Sequence, residues 1–309
     1  MNSFAFSFLT ETIGRLTNAR LHMPTTIAQG FEKLRDNLRI TQLQGSTVST
    51  RQQNIRDAVS KEMKVLDSFL TGSYRRNTMI APLSSADIDI FVVLDPSYYE
   101  QFGQASLLDK VKRVLQKTYP KTPKISRNGQ AVTITFTDFR VDVVPGFFRK
   151  DGGYLIPDSV LKRWISTDPK KHVEIWEEAN RNHNNDLRPL IKMIKCWNRE
   201  NGKLIHSFHL EVLVLTLLKG IKISDFPSGA RFVFDKARTQ VEYDLIDPAG
   251  YGGFVNAYLD TKDKVNEVVS RLESAYKRAI DAERLAVGNV AQSYEKWRLI
   301  FGDCFPAYG

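Results

Sequence analysis

Apolar positions change their period along this chain. Over residues 47–69, Ile55, Val59, Met63, Val65, Leu66 and Phe69 recur near helical spacing, which predicts a helix there with Ser49 and Thr50 as caps. A preceding helix is expected over about residues 26–43, so the first 70 residues read as helical. From residue 88 the period shortens. Residues 88–94 form an aliphatic, β-branched strand ended by Asp95-Pro96, and residues 107–119 return to helical spacing before Pro120. Residues 132–136 and 139–144 alternate as strands, the second ending at Pro145-Gly146. Beyond about residue 167 helical periodicity dominates, in residues 186–201, 208–220 and one long stretch, 262–301.

The pattern divides the chain into N-terminal helices (1–66), a small core of mixed strands and helices (67–165) and a helical segment (166–309), with no internal repeat and no low-complexity linker. With 309 residues, 42% hydrophobic and 26% charged, the chain can bury a sizeable core, and disorder is excluded on composition. No apolar run approaches the roughly 20 residues of a spanning helix; the longest, 212–218 with Thr216 inside it, reads as a buried helix. Residues 1–9 are rich in Phe but carry no basic leader and soon meet Glu11, so no secretory signal is expected. Cys196 and Cys304 are too few for a disulfide framework or a Cys-rich zinc site, and a cytoplasmic protein without a membrane partner is expected. A formal net charge of +9, from 44 Lys and Arg against 35 Asp and Glu, points to anionic partners. Charge alone does not separate nucleotides from DNA or RNA.

The chemistry concentrates on carboxylates. Asp87 and Asp89 are separated by one residue at the head of an apolar strand, so both project from one face while Ile88 and Ile90 point into the core. Two such carboxylates repel unless a divalent cation sits between them, and Mg²⁺ takes one or two carboxylates plus substrate phosphates. Asp142 stands mid-strand in Arg140-Val141-Asp142-Val143, where an unpartnered acid is costly. If the two strands are neighbours, three carboxylates converge and can hold two metals, which would stabilise the attacking and leaving oxygens of an in-line displacement.

Fourteen residues before the first of these comes Leu70-Thr71-Gly72-Ser73-Tyr74-Arg75-Arg76. Gly72 permits a close backbone approach, and Ser73 offers a hydroxyl and an N–H to phosphate oxygens. Arg75 and Arg76 either add charge there or face solvent. A lone Gly-Ser is an ordinary turn; Gly-Ser followed at this spacing by Asp-x-Asp and a distant strand Asp is a far more specific pattern.

The run from Gly72 through Asp87-Ile88-Asp89 to Leu94, with Val141-Asp142-Val143-Val144-Pro145, resembles the polymerase-β-like nucleotidyltransferases, and within them the cGAS/DncV-like nucleotidyltransferases (CD-NTases). The resemblance implies an α+β fold: a nucleotidyltransferase core of mixed sheet and flanking helices plus a C-terminal helical lobe, joined by a long N-terminal spine helix. It implies Asp87, Asp89 and Asp142 as catalytic metal ligands for two Mg²⁺ ions, with Mn²⁺ able to substitute, and Ser73 against the donor triphosphate. Over residues 186–201, Leu190, Ile191, Ile194 and Trp197 form an apolar stripe, and Arg188, Lys192, Lys195 and Arg199 a basic one on another face. The basic helix is similar to the one that holds the triphosphate in this family, which implies Lys195 and, less directly, Lys192. The pair Ser207-Phe208 is similar to the family's serine on phosphate and aromatic on the donor base. Glu211 stands where the cGAS pattern carries a lysine. His206 and His209 lack further ligands for zinc, and the Cys-rich insertion of animal cGAS is missing; Asp247-Pro248 is similar to a structural loop of CD-NTases.

The resemblance implies a template-independent enzyme that condenses NTPs, ATP above all, into a cyclic oligonucleotide second messenger with release of pyrophosphate, in bacterial antiphage (CBASS) defence. Residues 46–53 and 126–130 are most similar to clades found beside HORMA-domain regulators, which implies a cyclic trinucleotide and a HORMA-domain activator. Double-stranded DNA on the basic surface is a further candidate partner. Two rivals stand beside this reading: a linear nucleotidyltransferase of the oligoadenylate or RNA-terminal type, and a catalytically silent nucleotide-binding regulator.

Overall fold

The computed structural model describes residues 23–122 and 124–309. The Phe-rich stretch 1–9 and the rest of the first 22 residues lie outside the described residues. Two helices come first, α1 (Ile27–Asn37) and α2 (Gln42–Glu62), each opened by a capping box: Thr26 with Gln29, and Thr41 with Gln44. Ser49 and Thr50 are therefore interior to α2, and its start lies five residues before the expected one. Its end also differs. Val65, Leu66 and Phe69 belong to a strand, β1 (Val65–Thr71), which pairs antiparallel with β2 (Asp87–Leu94). Their spacing was compatible with a helix; long-range pairing with β2 decides the matter.

The remaining core elements are a single helical turn, α3 (Gly72–Arg75), then α4 (Ser97–Gln101), α5 (Gln104–Thr118), β3 (Lys124–Asn128), β4 (Ala131–Thr135), β5 (Arg140–Phe148), β6 (Tyr154–Asp158) and β7 (Arg163–Thr167). Together the strands make a seven-stranded mixed sheet in the order β1-β2-β5-β4-β3, with β6 on the far end of β5 and β7 beyond it. Among the described residues β2 and β5 make the one parallel pair, and the other pairs are antiparallel. Strand β5 does not stop at Pro145-Gly146 but runs through it. Pro145 falls in the gap between the β4 pairing, which ends at Val143, and the β6 pairing, which starts at Phe147. Among the described residues only β2 flanks the strand there, so a residue without an N–H is tolerated.

Alternation along β2 sorts its side chains cleanly. Ile88, Ile90, Val92 and Leu94 enter the core shared with Val48, Ile55 and Val59 of α2 and Leu107, Val111 and Leu115 of α5. Phe91 and Val93 sit on the opposite face with Tyr154 and Ile156, and Asp87 and Asp89 continue that face outward.

The helical part comprises α6 (Pro169–Asn182), α7 (Leu187–Glu200), α8 (Ser207–Leu217), α9 (Phe226–Gln240), α10 (Lys262–Leu285) and α11 (Val290–Phe301). The long stretch 262–301 is thus two helices, with Asn289 capping the second by accepting from the Gln292 N–H. The core of this part gathers Trp176, Leu190, Ile194, Trp197, Phe234 and Trp297, and α1 belongs to it through Phe31, Leu34 and its C-cap Leu38. Among the described residues no helix is long and apolar enough to cross a membrane.

Phe31 is 1% exposed and meets Trp297, Phe301 and Phe305 edge-on at ring-centroid distances of 4.8, 5.9 and 5.2 Å. Truncating such a ring costs about 3–5 kcal/mol. Phe31→Ala is expected to lower the urea midpoint accordingly; a loss below about 1 kcal/mol would mean that α1 is not anchored on the C-terminal helices.

Candidate active site

The parallel register of β2 and β5 sets Asp89 beside Asp142 and Asp87 beside Arg140. Thr71 on β1 and Thr133 on β4 flank the first pair, so a polar row, Thr71, Asp89, Asp142, Thr133, crosses the sheet above its apolar floor. Burial pushes the Asp89 carboxyl up to about 7, with the Asp142 charge adding to it and Arg76 opposing. Burial raises Asp142 as well, with Asp87 contributing, and its Oδ1 is buried with no hydrogen-bond partner. Asp87 is held by Arg140, whose Nε and Nη2 donate to its two oxygens at 2.5 and 3.1 Å. Among the described residues the three carboxylates are not gathered within 4.8 Å of one another. An oxygen-only donor set, an acid with an orphaned oxygen and a repulsion that Arg76 and Arg140 only partly offset all fit a hard divalent cation.

Gly72 follows β1 and opens α3 at φ +63°, a conformation that favours glycine. A Cβ there would lie 1.7 Å from Oδ2 of Asp89 and 2.5 Å from its Cγ. The turn that carries Ser73 is therefore pressed directly onto the carboxylate row, and only glycine leaves room for it.

The helical part supplies the facing wall. Glu211 of α8 is fully buried and accepts hydrogen bonds from Arg76 (Nε, 2.9 Å; Nη2, 3.3 Å) and Lys195 of α7 (Nζ, 3.0 Å). Burial alone would raise this acid, but the charges of Arg76 and Lys195 outweigh it and hold the carboxyl at about 2. Phe208 lies beside it, partly exposed, against His172 (4.9 Å) and Trp176 (5.9 Å), with the Arg76 guanidinium 5.0 Å from its ring centre. His172 in turn meets Asp247 through Nε2 at 2.6 Å, and Asp247 accepts from the Ala249 and Gly252 N–H groups. Arg76, His172, Lys195, Phe208, Glu211 and Asp247 share one cleft of about 790 Å³ with the three carboxylates, a size usual for small-molecule sites.

Of the residues singled out in the sequence, Gly72, Ser73, Asp87, Asp89, Asp142, Lys195, Ser207 and Phe208 all line this cleft. Lys192 does not. It lines a separate cavity behind α3, where its Nζ donates to Asn77 Oδ1 at 3.2 Å. The basic stripe of α7 is thereby split among different tasks: Lys195 is buried on Glu211, while Arg199 donates to the Ala81 carbonyl at 2.6 Å and lies 2.9 Å from Cys304 Sγ. Cys196, Glu200 and Cys304 come within 4.8 Å of one another, yet the adjoining guanidinium leaves a poor place for a metal. Sequence reasoning missed Arg140 and the joint role of Arg76 and Glu211. Arg140 was accessible to it, since two residues before Asp142 on a strand means the same face.

The fold is that of a polymerase-β-like nucleotidyltransferase core with a helical lobe. The chain belongs to the Second Messenger Oligonucleotide or Dinucleotide Synthetase (SMODS) domain family, whose model matches residues 25–180, and so to the CD-NTases. It is 31% identical over 200 residues to the cyclic AMP-AMP-AMP synthase of Acinetobacter sp. (strain ATCC 27244 / 9458), a match covering 61% of this chain and 58% of that one. The chain thus aligns with little more than half the length of that relative. It is 23% identical to the CBASS oligonucleotide cyclase CdnC of Escherichia coli (strain KTE188), over 87% of this chain and 93% of that one. In fold it matches CdnC of E. coli MS115-1, solved with a HORMA protein, at a TM-score of 0.74 and 16% identity, covering 91% and 98% of the two chains.

The raised Asp89 has a pH signature in protein stripped of divalent ions. Its folded value, about 7, exceeds the ordinary 3.8, so the stability it permits is full below about pH 4 and is lost as pH rises through 7. Asp89→Asn escapes that loss. In EDTA its melting temperature is expected to exceed the wild type's by several degrees near pH 8 and to match it near pH 4. A gap that does not change with pH would contradict the assignment.

Proposed function

We propose that this chain is a metal-dependent, template-independent nucleotidyltransferase that joins NTPs, mainly ATP, into a cyclic oligonucleotide, a cyclic trinucleotide, releasing pyrophosphate. The observation that carries this reading is the in-register pair Asp89 and Asp142, with Asp87 alongside and the Gly72-Ser73 turn pressed against it. Residues 67–165 act as the catalytic core and 166–309 as the lobe that closes the cleft over it, with 1–66 as the supporting helices.

Asp87, Asp89 and Asp142 would hold two divalent cations, Mg²⁺ with Mn²⁺ able to substitute, whose bound charge lowers the acceptor hydroxyl's pKa and neutralises the triphosphate. The acceptor hydroxyl oxygen attacks the donor α-phosphorus; that P–O bond forms as the bond to the β-phosphate bridging oxygen breaks, and pyrophosphate leaves. Asp142, its basicity raised by burial, would take the hydroxyl proton. Gly72 and Ser73 cradle the donor phosphates with backbone N–H groups and a hydroxyl. Lys195 and Ser207 face them from the other wall, and Phe208 offers a ring to the donor base. Glu211 fixes Lys195 and Arg76 in position while neutralising one of the two cations, so that pair brings a single net positive charge to the cleft.

Adenine as the base is supported by the likeness to a cyclic AMP-AMP-AMP synthase, and a HORMA-domain activator by the likeness to CdnC solved with such a protein. A role in antiphage (CBASS) signalling is supported by the likeness to a CBASS oligonucleotide cyclase, and the cytoplasm is the compartment this reading assigns to it. The net charge of +9 supports double-stranded DNA as a further partner.

Incubation with ATP and mixed NTPs in Mg²⁺, followed by mass spectrometry, tests the reading. The wild type is expected to yield an oligonucleotide without terminal phosphates that resists phosphatase and exonuclease. Asp87→Asn/Asp89→Asn is expected to lower the yield at least about a hundredfold. A product digested from one end would indicate a linear transferase. No pyrophosphate release, even with activator and DNA present, would indicate a silent nucleotide binder.

A further inference from the structure

A second large cavity, of about 940 Å³, lies on the far side of α3 from the cleft. Arg35 in the last turn of α1 and Arg39 just beyond its end form one wall, Arg188 and Lys192 of α7 another, and Tyr74 and Arg75 a third. Arg188 and Lys192 stack at i, i+4 spacing on one face of α7, and both arginines of the first wall line the same space. Among the described residues no Asp or Glu lines it. The acids that approach it engage the rim: Glu32 pairs with Arg35, Asp36 lies 3.3 Å from Arg39 and 4.0 Å from Arg35, and Glu177 lies 3.5 Å from Arg75. Arg188 and Lys192 make no ion pair among the described residues.

The inner cations are also incompletely satisfied. Nε of Arg35 and Nε of Arg188 are buried with no hydrogen-bond partner among the described residues. A buried donor left unpaired costs free energy, more so when it is charged. Burial, together with Lys195, Arg39 and Arg188, pushes Lys192 down to about 8. A cavity that gathers five cations, of which Arg188 and Lys192 have no acidic partner among the described residues, is what a multiply charged anion relieves, and guanidinium groups meet phosphate oxygens in paired hydrogen bonds.

We infer that this cavity is a binding site for a small anion bearing several phosphate groups, separate from the nucleotide cleft. Residues 71–79 divide the two: Gly72, Ser73 and Arg76 line the cleft, whereas Tyr74, Arg75 and Asn77 line the basic cavity. An anion held behind α3 therefore bears on the backbone that carries the phosphate cradle.

The test needs no turnover, so its failure is distinct from failure of the proposed reaction. Inorganic tripolyphosphate is titrated calorimetrically into the full chain in EDTA, where the carboxylate site has no cation to hold it. Saturable binding is expected, weakened at least about tenfold by Arg39→Ala/Arg188→Ala. Arg39→Glu, at an exposed position, repeats the test without touching α7 and is expected to weaken binding by a similar factor. Lys195→Met, in the cleft, is expected to leave the affinity within about twofold. Affinity that survives the arginine variants, or that is lost with Lys195→Met, would overturn the assignment. So would a short DNA duplex that binds through Arg39 and Arg188 while tripolyphosphate fails to compete, because that marks an extended nucleic-acid surface instead.

Discussion

Two carboxylates facing each other across a parallel strand pair are the constraint around which the rest of this molecule is arranged. Asp89 and Asp142 are placed side by side by the β2–β5 register, in an enclosure that penalises charge on both. Such a pair is relieved either by a proton, which the raised Asp89 can hold, or by a divalent cation, which is the role proposed for it here. The strands can carry this load because their opposite face is fully apolar and clamped by α2 and α5. Gly72 completes the arrangement by letting the following turn approach Asp89 more closely than any side chain permits.

The other wall of the cleft depends on a second buried acid, with the opposite solution. Glu211 is compensated from within, by Arg76 from the turn after β1 and Lys195 from α7. Breaking such a network costs more than its net contribution, because the remaining charge is left buried and unpaired. It therefore holds core and helical elements at a fixed separation across the cleft. The same arginine lies over Phe208 and tempers the Asp89 charge, so it couples the aromatic platform to the carboxylate row.

Much of this was legible in the sequence, for local reasons. Alternation at Asp87-Ile88-Asp89-Ile90 placed the carboxylates on one face, and the Gly-Ser spacing identified the turn beside them. What failed depended on distant partners. Val65, Leu66 and Phe69 suit a helix as well as a strand until β2 is there to pair with them. Pro145-Gly146 resembles a strand end until the gap between β4 and β6 is known. Lys192 and Lys195 are only three residues apart on one helix, yet α3 intervenes and sends them to different cavities. No periodicity in α7 alone contains that information.

The central claim, that the Asp89–Asp142 pair exists to hold divalent cations with Asp87, is tested most directly by counting them. Electron paramagnetic resonance of Mn²⁺ titrated into the chain with a non-hydrolysable ATP analogue should show about two tightly bound ions per chain. Asp89→Asn should abolish tight binding and Asp142→Asn should remove one of the two. An unchanged Mn²⁺ count in Asp89→Asn would contradict the account.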